Sequence, residues 1–142
     1  MTRGLSDADY RALAQFRRAL RQFLAFSEDA ARSAGLSPAQ HQLMLAIRGA
    51  PGDGPPSLGE VADWLQLKLH SAGELVGRAE GNGLVVRSVD PTDHRRVLLT
   101  LSRAGEEKLA ELSRMHRDEL RRFRTDLDAL IVHLDDEETS PA

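Results

Sequence analysis

Apolar residues recur near the start of the chain at three- and four-residue steps: Tyr10, Leu13, Phe16, Leu20, Phe23 and Leu24. This is the stripe of an amphipathic helix. Ser6, with acids at Asp7 and Asp9, suits its start, because a hydroxyl caps free backbone N–H groups and carboxylates favour the positive end of the helix dipole. Gly35 ends it. A second helix opens at Ser37-Pro38, with Gln40 spaced for a capping box and Leu43, Met44 and Ile47 as its inward face. The stretch from Gly49 to Pro56 has the glycine and proline content of a loop.

Ser57-Leu58-Gly59-Glu60 is a further capping box, opening a short helix with Val61, Ala62 and Leu65 inward and Trp64 as core packing. Helical pattern resumes soon afterwards. Ser71 and Glu74 have capping-box spacing, Leu75, Val76 and Ala79 give an apolar face, and Asn82-Gly83 reads as the C-cap. Two short helices joined by a tight turn predict a helix-turn-helix. Leu84 to Val89 and Val97 to Leu101 are aliphatic and rich in β-branched residues, and Asp90-Pro91-Thr92-Asp93 between them is a turn cluster, so they predict a hairpin. Ser102 caps a last helix. Along it Leu109, Leu112, His116, Leu120, Phe123, Leu127, Leu130 and Leu134 follow at steps of three and four. Stripes this long on the first and last helices leave apolar surface for a second copy of the chain to cover.

The order is thus helix, helix, helix-turn-helix, hairpin, long helix: a mainly α fold with a small β-hairpin. At 142 residues with 41% apolar content the chain has the size and core material of one domain. No apolar run approaches the ~20 residues of a membrane span, and Met1 to Asp9 lacks the pattern of a secretion signal. With no cysteine, disulfides and thiolate metal sites are excluded, which fits a cytoplasmic protein. Net charge is −3, and the tail Asp135-Asp136-Glu137-Glu138 supplies much of the acid. Between Leu67 and Gly105 the bases Lys68, Arg78, Arg87, Arg95, Arg96 and Arg103 outnumber the acids Glu74, Glu80, Asp90 and Asp93. Overall charge therefore does not decide against phosphate binding.

From Leu75 to Val85 the chain reads Leu-Val-Gly-Arg-Ala-Glu-Gly-Asn-Gly-Leu-Val, and from Asp90 to Gly105 Asp-Pro-Thr-Asp-His-Arg-Arg-Val-Leu-Leu-Thr-Leu-Ser-Arg-Ala-Gly. These motifs, in this order after a helix pair, resemble the recognition-helix ending and the wing of the MarR (multiple antibiotic resistance regulator) family. The resemblance extends over nearly the whole chain. It implies a winged helix-turn-helix in residues 37–105, dimerisation helices in 6–35 and 106–135 of a single 1–142 domain, and a homodimer that binds double-stranded DNA. A small-molecule effector is the further partner it implies; neither a cofactor nor a metal is expected.

In that family the second helix of the motif enters the major groove and the wing tip reaches the minor groove, where a narrow groove concentrates negative potential that attracts arginine. Carried over, Arg95 is the wing arginine, and Asp93 is the acid that orients it or pairs with Arg78. Lys68, His70, Ser71, Glu74, Arg78, His94 and Arg96 complete the expected DNA-contacting set. Each has a plainer alternative. Ser71 and Glu74 would serve as a helix cap, Arg96 as a surface residue, and Glu74 otherwise as an acceptor for cytosine N4–H. Gly73 and Gly77 each cost the recognition helix ~1 kcal/mol of propensity relative to alanine. Gly77 departs from an acid usual in the family, and Ala79 from a large aliphatic. His41 and His116 are candidate effector-pocket residues, with an interior or interface histidine as the alternative for His116. An enzyme finds little support, for there is no cysteine, glycine-rich phosphate loop or nucleophile-base set. The remaining rival is a dimeric small-molecule-binding or interaction module that has lost DNA binding.

Overall fold

The computed structural model describes residues 4–139, with side chains described through Asp136. The Met1–Arg3 part of the stretch read for a secretion signal lies outside them, as do the side chains of Glu137 and Glu138 in the acidic tail. In chain order the elements are α1 (Asp7–Ser33), α2 (Pro38–Arg48), α3 (Leu58–Trp64), α4 (Leu69–Gly81), β1 (Val85–Val89), β2 (Val97–Leu101) and α5 (Arg103–Thr139). This is the mainly α architecture with a hairpin that the apolar pattern predicts.

The helix starts follow from local chemistry. At α1, Ser6 Oγ accepts the Asp9 N–H at 3.2 Å, and the Asp9 carboxylate accepts the Ser6 N–H at 2.8 Å. At α2, Ser37 Oγ accepts the Gln40 N–H at 3.1 Å. At α3 both halves of the box form, each at 3.1 Å between Ser57 and Glu60. Ser102 Oγ accepts the Gly105 N–H at 3.0 Å and starts α5. Each bond satisfies a donor that the first helical turn leaves without an intrahelical partner.

The Ser71–Glu74 box is the exception. The residue preceding α4 is Lys68, with extended backbone and no side-chain cap bond, so Ser71 and Glu74 already lie within the helix. The cause is the preceding turn. The Gln66 N–H bonds the Asp63 carbonyl at 3.1 Å and the Leu67 N–H bonds the Ala62 carbonyl at 2.9 Å. Gln66 sits at φ 56° between them. This double closure ends α3 so tightly that the next helix begins at Leu69. The same closure ends α1 and α4, where Gly35 (φ 81°) and Gly83 (φ 75°) occupy the left-handed position more comfortably.

The chain divides into two units: residues 30–113, and the residues up to 29 together with those from 114 onward. In the 30–113 unit, Leu43, Met44, Val61, Val76, Leu99 and Leu112 are fully buried side chains. Trp64, expected among them, is 41% exposed, since Val61 and Ala62 fill the inward face of short α3. β1 and β2 pair antiparallel, from Val85 opposite Leu101 to Val89 opposite Val97. Pro56 and Ser57 add a short third edge: the Leu99 N–H bonds the Pro56 carbonyl at 2.9 Å, and Ser57 bridges Leu98. The hairpin is thereby tied to the start of α3 as well as to the end of α4.

The other unit is held by aromatic packing. Phe123 lies 6.0 Å from Phe16 and 5.5 Å from Phe23, centroid to centroid. His116 meets Phe26 edge-on at 5.4 Å. Tyr10, Leu13, Leu24, Leu120, Ile131, Val132 and Leu134 keep large exposed apolar surfaces here.

Candidate nucleic-acid interface

The inward face of α4 is Ala72, Leu75, Val76 and Ala79, all buried. That orientation turns His70, Ser71, Glu74 and Arg78 outward, and each is exposed, as is Lys68 just before the helix. His70, Glu74 and Arg78 follow at four-residue steps, forming one ridge. His70 Nε2 and Glu74 Oε1 lie 3.1 Å apart. Arg78 has no ion pair with any described residue, so the pairing with Asp93 considered for it is not the one formed. Asp93 Oδ1 instead lies beside Arg95, 3.5 Å from its Nε.

The hairpin tip is built from two consecutive turns. The Asp90 N–H bonds the Arg96 carbonyl at 2.9 Å, closing the tip, and the Arg96 N–H bonds the Asp93 carbonyl at 3.0 Å. Two carboxylates stabilise these turns from inside. Asp90 accepts the Thr92 N–H at 2.9 Å and the Thr92 hydroxyl at 2.8 Å, while Asp93 accepts the Arg95 N–H at 3.1 Å. Such bonds from Asp to backbone two residues on are the usual chemistry of tight turns. The result is that Arg95 projects, its side chain 95% exposed with Nε 3.5 Å from Asp93 Oδ1. His94 is exposed beside it.

Arg96, adjacent in sequence, points elsewhere. Its guanidinium bonds Glu60 in the first turn of α3 and lies 3.5 Å from Asp90 Oδ2. The surroundings hold both acids ionised. Glu60 is kept below its ordinary value chiefly by the Ser57 N–H, then by the Ser57 hydroxyl and by Arg96. Asp90 is lowered chiefly by the Thr92 N–H and hydroxyl, with a contribution from the charge of Arg96. The Arg96 guanidinium is therefore engaged by two carboxylates and braces the wing against α3. Its engagement here is with the body of the protein, and its side chain is 46% exposed.

The sequence pattern also missed Arg87. On β1 it stands opposite Leu99, which is fully buried, so the two side chains share the face of the hairpin turned toward the helices. Arg87 donates to the Gly73 carbonyl at 2.9 Å, and its Nε lies 3.7 Å from Glu80. Counting alternate residues along β1 would have placed position 87 on the inner face with Val85.

His116, 7% exposed, lies 2.9 Å from Ser27 Oγ through Nε2, within the aromatic cluster. His41 is buried in α2, in the 30–113 unit. Asp9, which is buried, and His133, which is partly exposed, form another pair, 3.0 Å apart, that the sequence did not single out.

The statistical model of the MarR family matches residues 34–96. An uncharacterised HTH-type transcriptional regulator of Bacillus subtilis (strain 168), YcgE, is 30% identical over 109 residues, spanning 77% of this chain and 69% of that protein. The chain belongs to the MarR family. MarR-family structures share its fold. The regulator AbsC from Streptomyces coelicolor superposes with a TM-score of 0.72 at 21% identity, over 97% of this chain and 94% of that one. The transcriptional repressor CouR, solved bound to a 23-mer DNA duplex, superposes with a TM-score of 0.66 at 26% identity, over 86% and 88% of the two chains. As a member of this family, the protein is a winged-helix transcriptional regulator that binds DNA. No helix among the described residues is long and apolar enough to cross a membrane.

Proposed function

We propose that this MarR-family protein acts in the cytoplasm as a homodimeric, ligand-responsive repressor on a pseudo-palindromic operator. α4 enters the major groove with Lys68, His70, Ser71, Glu74 and Arg78 toward bases and phosphates. Each wing tip inserts Arg95 into the neighbouring minor groove, with His94 alongside. The observation that carries this reading is the fully projecting Arg95 on a tip braced by Asp90, Asp93 and Arg96, beside an outward polar ridge on α4. The similarity to CouR, whose structure holds a DNA duplex, supports it. The exposed apolar residues of α1 and α5 supply a surface for the second copy. No catalytic role is assigned.

A two-fold dimer presents two recognition helices about 34 Å apart, so half-sites about one helical turn apart are expected. Binding of the full chain to random duplex DNA, measured across a salt series, tests the electrostatic core of the proposal. The affinity should fall linearly with log salt concentration, by ~0.9 per neutralised phosphate. Affinity independent of salt concentration would contradict the proposal.

A further inference from the structure

The two glycines inside α4 look like pure cost in a recognition helix, and Arg87 gives one of them a use. Gly73 and Gly77 lie one turn apart on α4, and Arg87 of the hairpin comes close to both, to the carbonyl of the first and to the Cβ position of the second. A Cβ built on Gly77 would stand 3.5 Å from Arg87 Nη2, and Gly73 supplies the carbonyl which that same nitrogen bonds at 2.9 Å. The side chain missing at Gly77 therefore leaves a shallow trough beside the Arg87 guanidinium, whereas a Cβ on Gly73 would meet nothing within 4 Å. Glu80, one turn further along α4, holds its Nε side at 3.7 Å. An arginine on β1 thus reaches back over the helix that precedes it. It grips α4 at both ends of the trough, with its side chain only 36% exposed.

We infer that Arg87 is a positioning residue, which fixes the angle between recognition helix and wing so that the dimer fills major and minor grooves together. The turn at Asn82-Gly83 joins β1 to the end of α4, and β2 is tied to the start of α3; Arg87 adds a side-chain bond from the wing to the middle of α4. A planar guanidinium with fixed donors resists rocking better than a lone ammonium, because it holds a carbonyl and a carboxylate in one geometry. The inference rests on the DNA-binding reading above, and its test separates the two.

The probe is one duplex enriched from a random pool by the wild-type full chain, footprinted with hydroxyl radicals and with dimethyl sulfate. Arg87→Ala should lose the minor-groove protection of the wing yet keep guanine N7 protection in the major groove. Its affinity should fall about tenfold, the scale of one lost charge-assisted hydrogen bond per dimer. Its salt slope should stay unchanged, because Arg87 neutralises no phosphate. Gly77→Leu, which improves helix propensity and so does not act through lost folding, should reproduce this pattern by blocking the trough. Gly77→Ala should leave binding as in wild type, since 3.5 Å is ordinary van der Waals contact. Arg87→Lys should be intermediate, with one nitrogen for two acceptors. Wing protection retained in both Arg87→Ala and Gly77→Leu would overturn this inference alone. So would a salt slope lowered by about one per subunit, which would make Arg87 a direct phosphate contact. A wild-type chain that enriched no duplex would overturn the DNA-binding reading as well.

Discussion

Replacing Arg96 with alanine removes a guanidinium that Glu60 and Asp90 share; replacing Arg95 removes one that solvent surrounds. The Arg96–Glu60 pair is 46% and 45% exposed, so solvent screening leaves it worth ~0.5–1 kcal/mol. Asp90, only 12% exposed, loses its charge partner at the same time and adds to the loss. For a chain of 142 residues this corresponds to a fall in Tm of about 2–4 °C. Arg95, 95% exposed, has one long contact with Asp93, so Arg95→Ala should change stability by less than ~0.5 kcal/mol. DNA binding should separate them the other way. Arg95→Ala should lower affinity and reduce the salt slope by about two per dimer, one for each lost groove contact. Arg96→Ala should weaken binding only through a looser wing, with the slope kept. Arg103→Ala, 94% exposed in the first turn of α5, serves as the control and should change neither quantity appreciably. Calorimetry and a salt series on one duplex read both signatures. An Arg95→Ala protein with the lowered Tm and an unchanged slope would refute the assignment of the two arginines.

Gly105→Ala should destabilise the fold by ~3 kcal/mol or more, because an added Cβ would stand 2.2 Å from the Leu84 carbonyl oxygen and the backbone must move; a denaturation midpoint equal to wild type would contradict this close approach. Gln66→Gly should stabilise by up to ~1 kcal/mol by relieving the left-handed backbone at φ 56°, read as a raised urea midpoint with the m value unchanged. Acid titration tests the brace. Glu60 and Asp90 have lowered pKa values, so their stabilisation is complete above the ordinary values of 4.5 and 3.8 and disappears as pH falls through the folded-state values. The stability difference between wild type and Glu60→Gln should therefore be constant near neutrality and shrink in acid; a difference that grew on acidification would have the wrong sign.

Most of the architecture was legible because local signals and apolar period agreed. Ser57 and Glu60 marked α3, Asn82-Gly83 marked the end of α4, and the aliphatic runs around Asp90-Pro91-Thr92-Asp93 marked the hairpin. The start of α4 was misread because Ser71 and Glu74 have the right spacing for a cap, whereas the boundary was set by the closure around Gln66. Spacing is blind to a left-handed glutamine. At the candidate interface, the exposure of Arg95 followed from its place at a turn. The separate fate of Arg96 did not, since its partner Glu60 lies far away in sequence and serves a cap of its own. Arg87 was hidden for a related reason: an arginine on a strand reads as surface until its cross-strand neighbour, Leu99, is known to be buried. Gly77 then changes from an apparent weakness of a helix to a place where a side chain from another element lies, with the Gly73 carbonyl as its acceptor.

The central claim is that this chain reads duplex DNA as a two-fold dimer through α4 and the Arg95 wing. Selection of bound sequences from a random duplex pool, with the full chain at moderate salt, tests it most directly. The account predicts enrichment of two inverted half-sites centred about one helical turn apart. A retained pool with the sequence statistics of the input, or a single half-site with no two-fold relation, would contradict it.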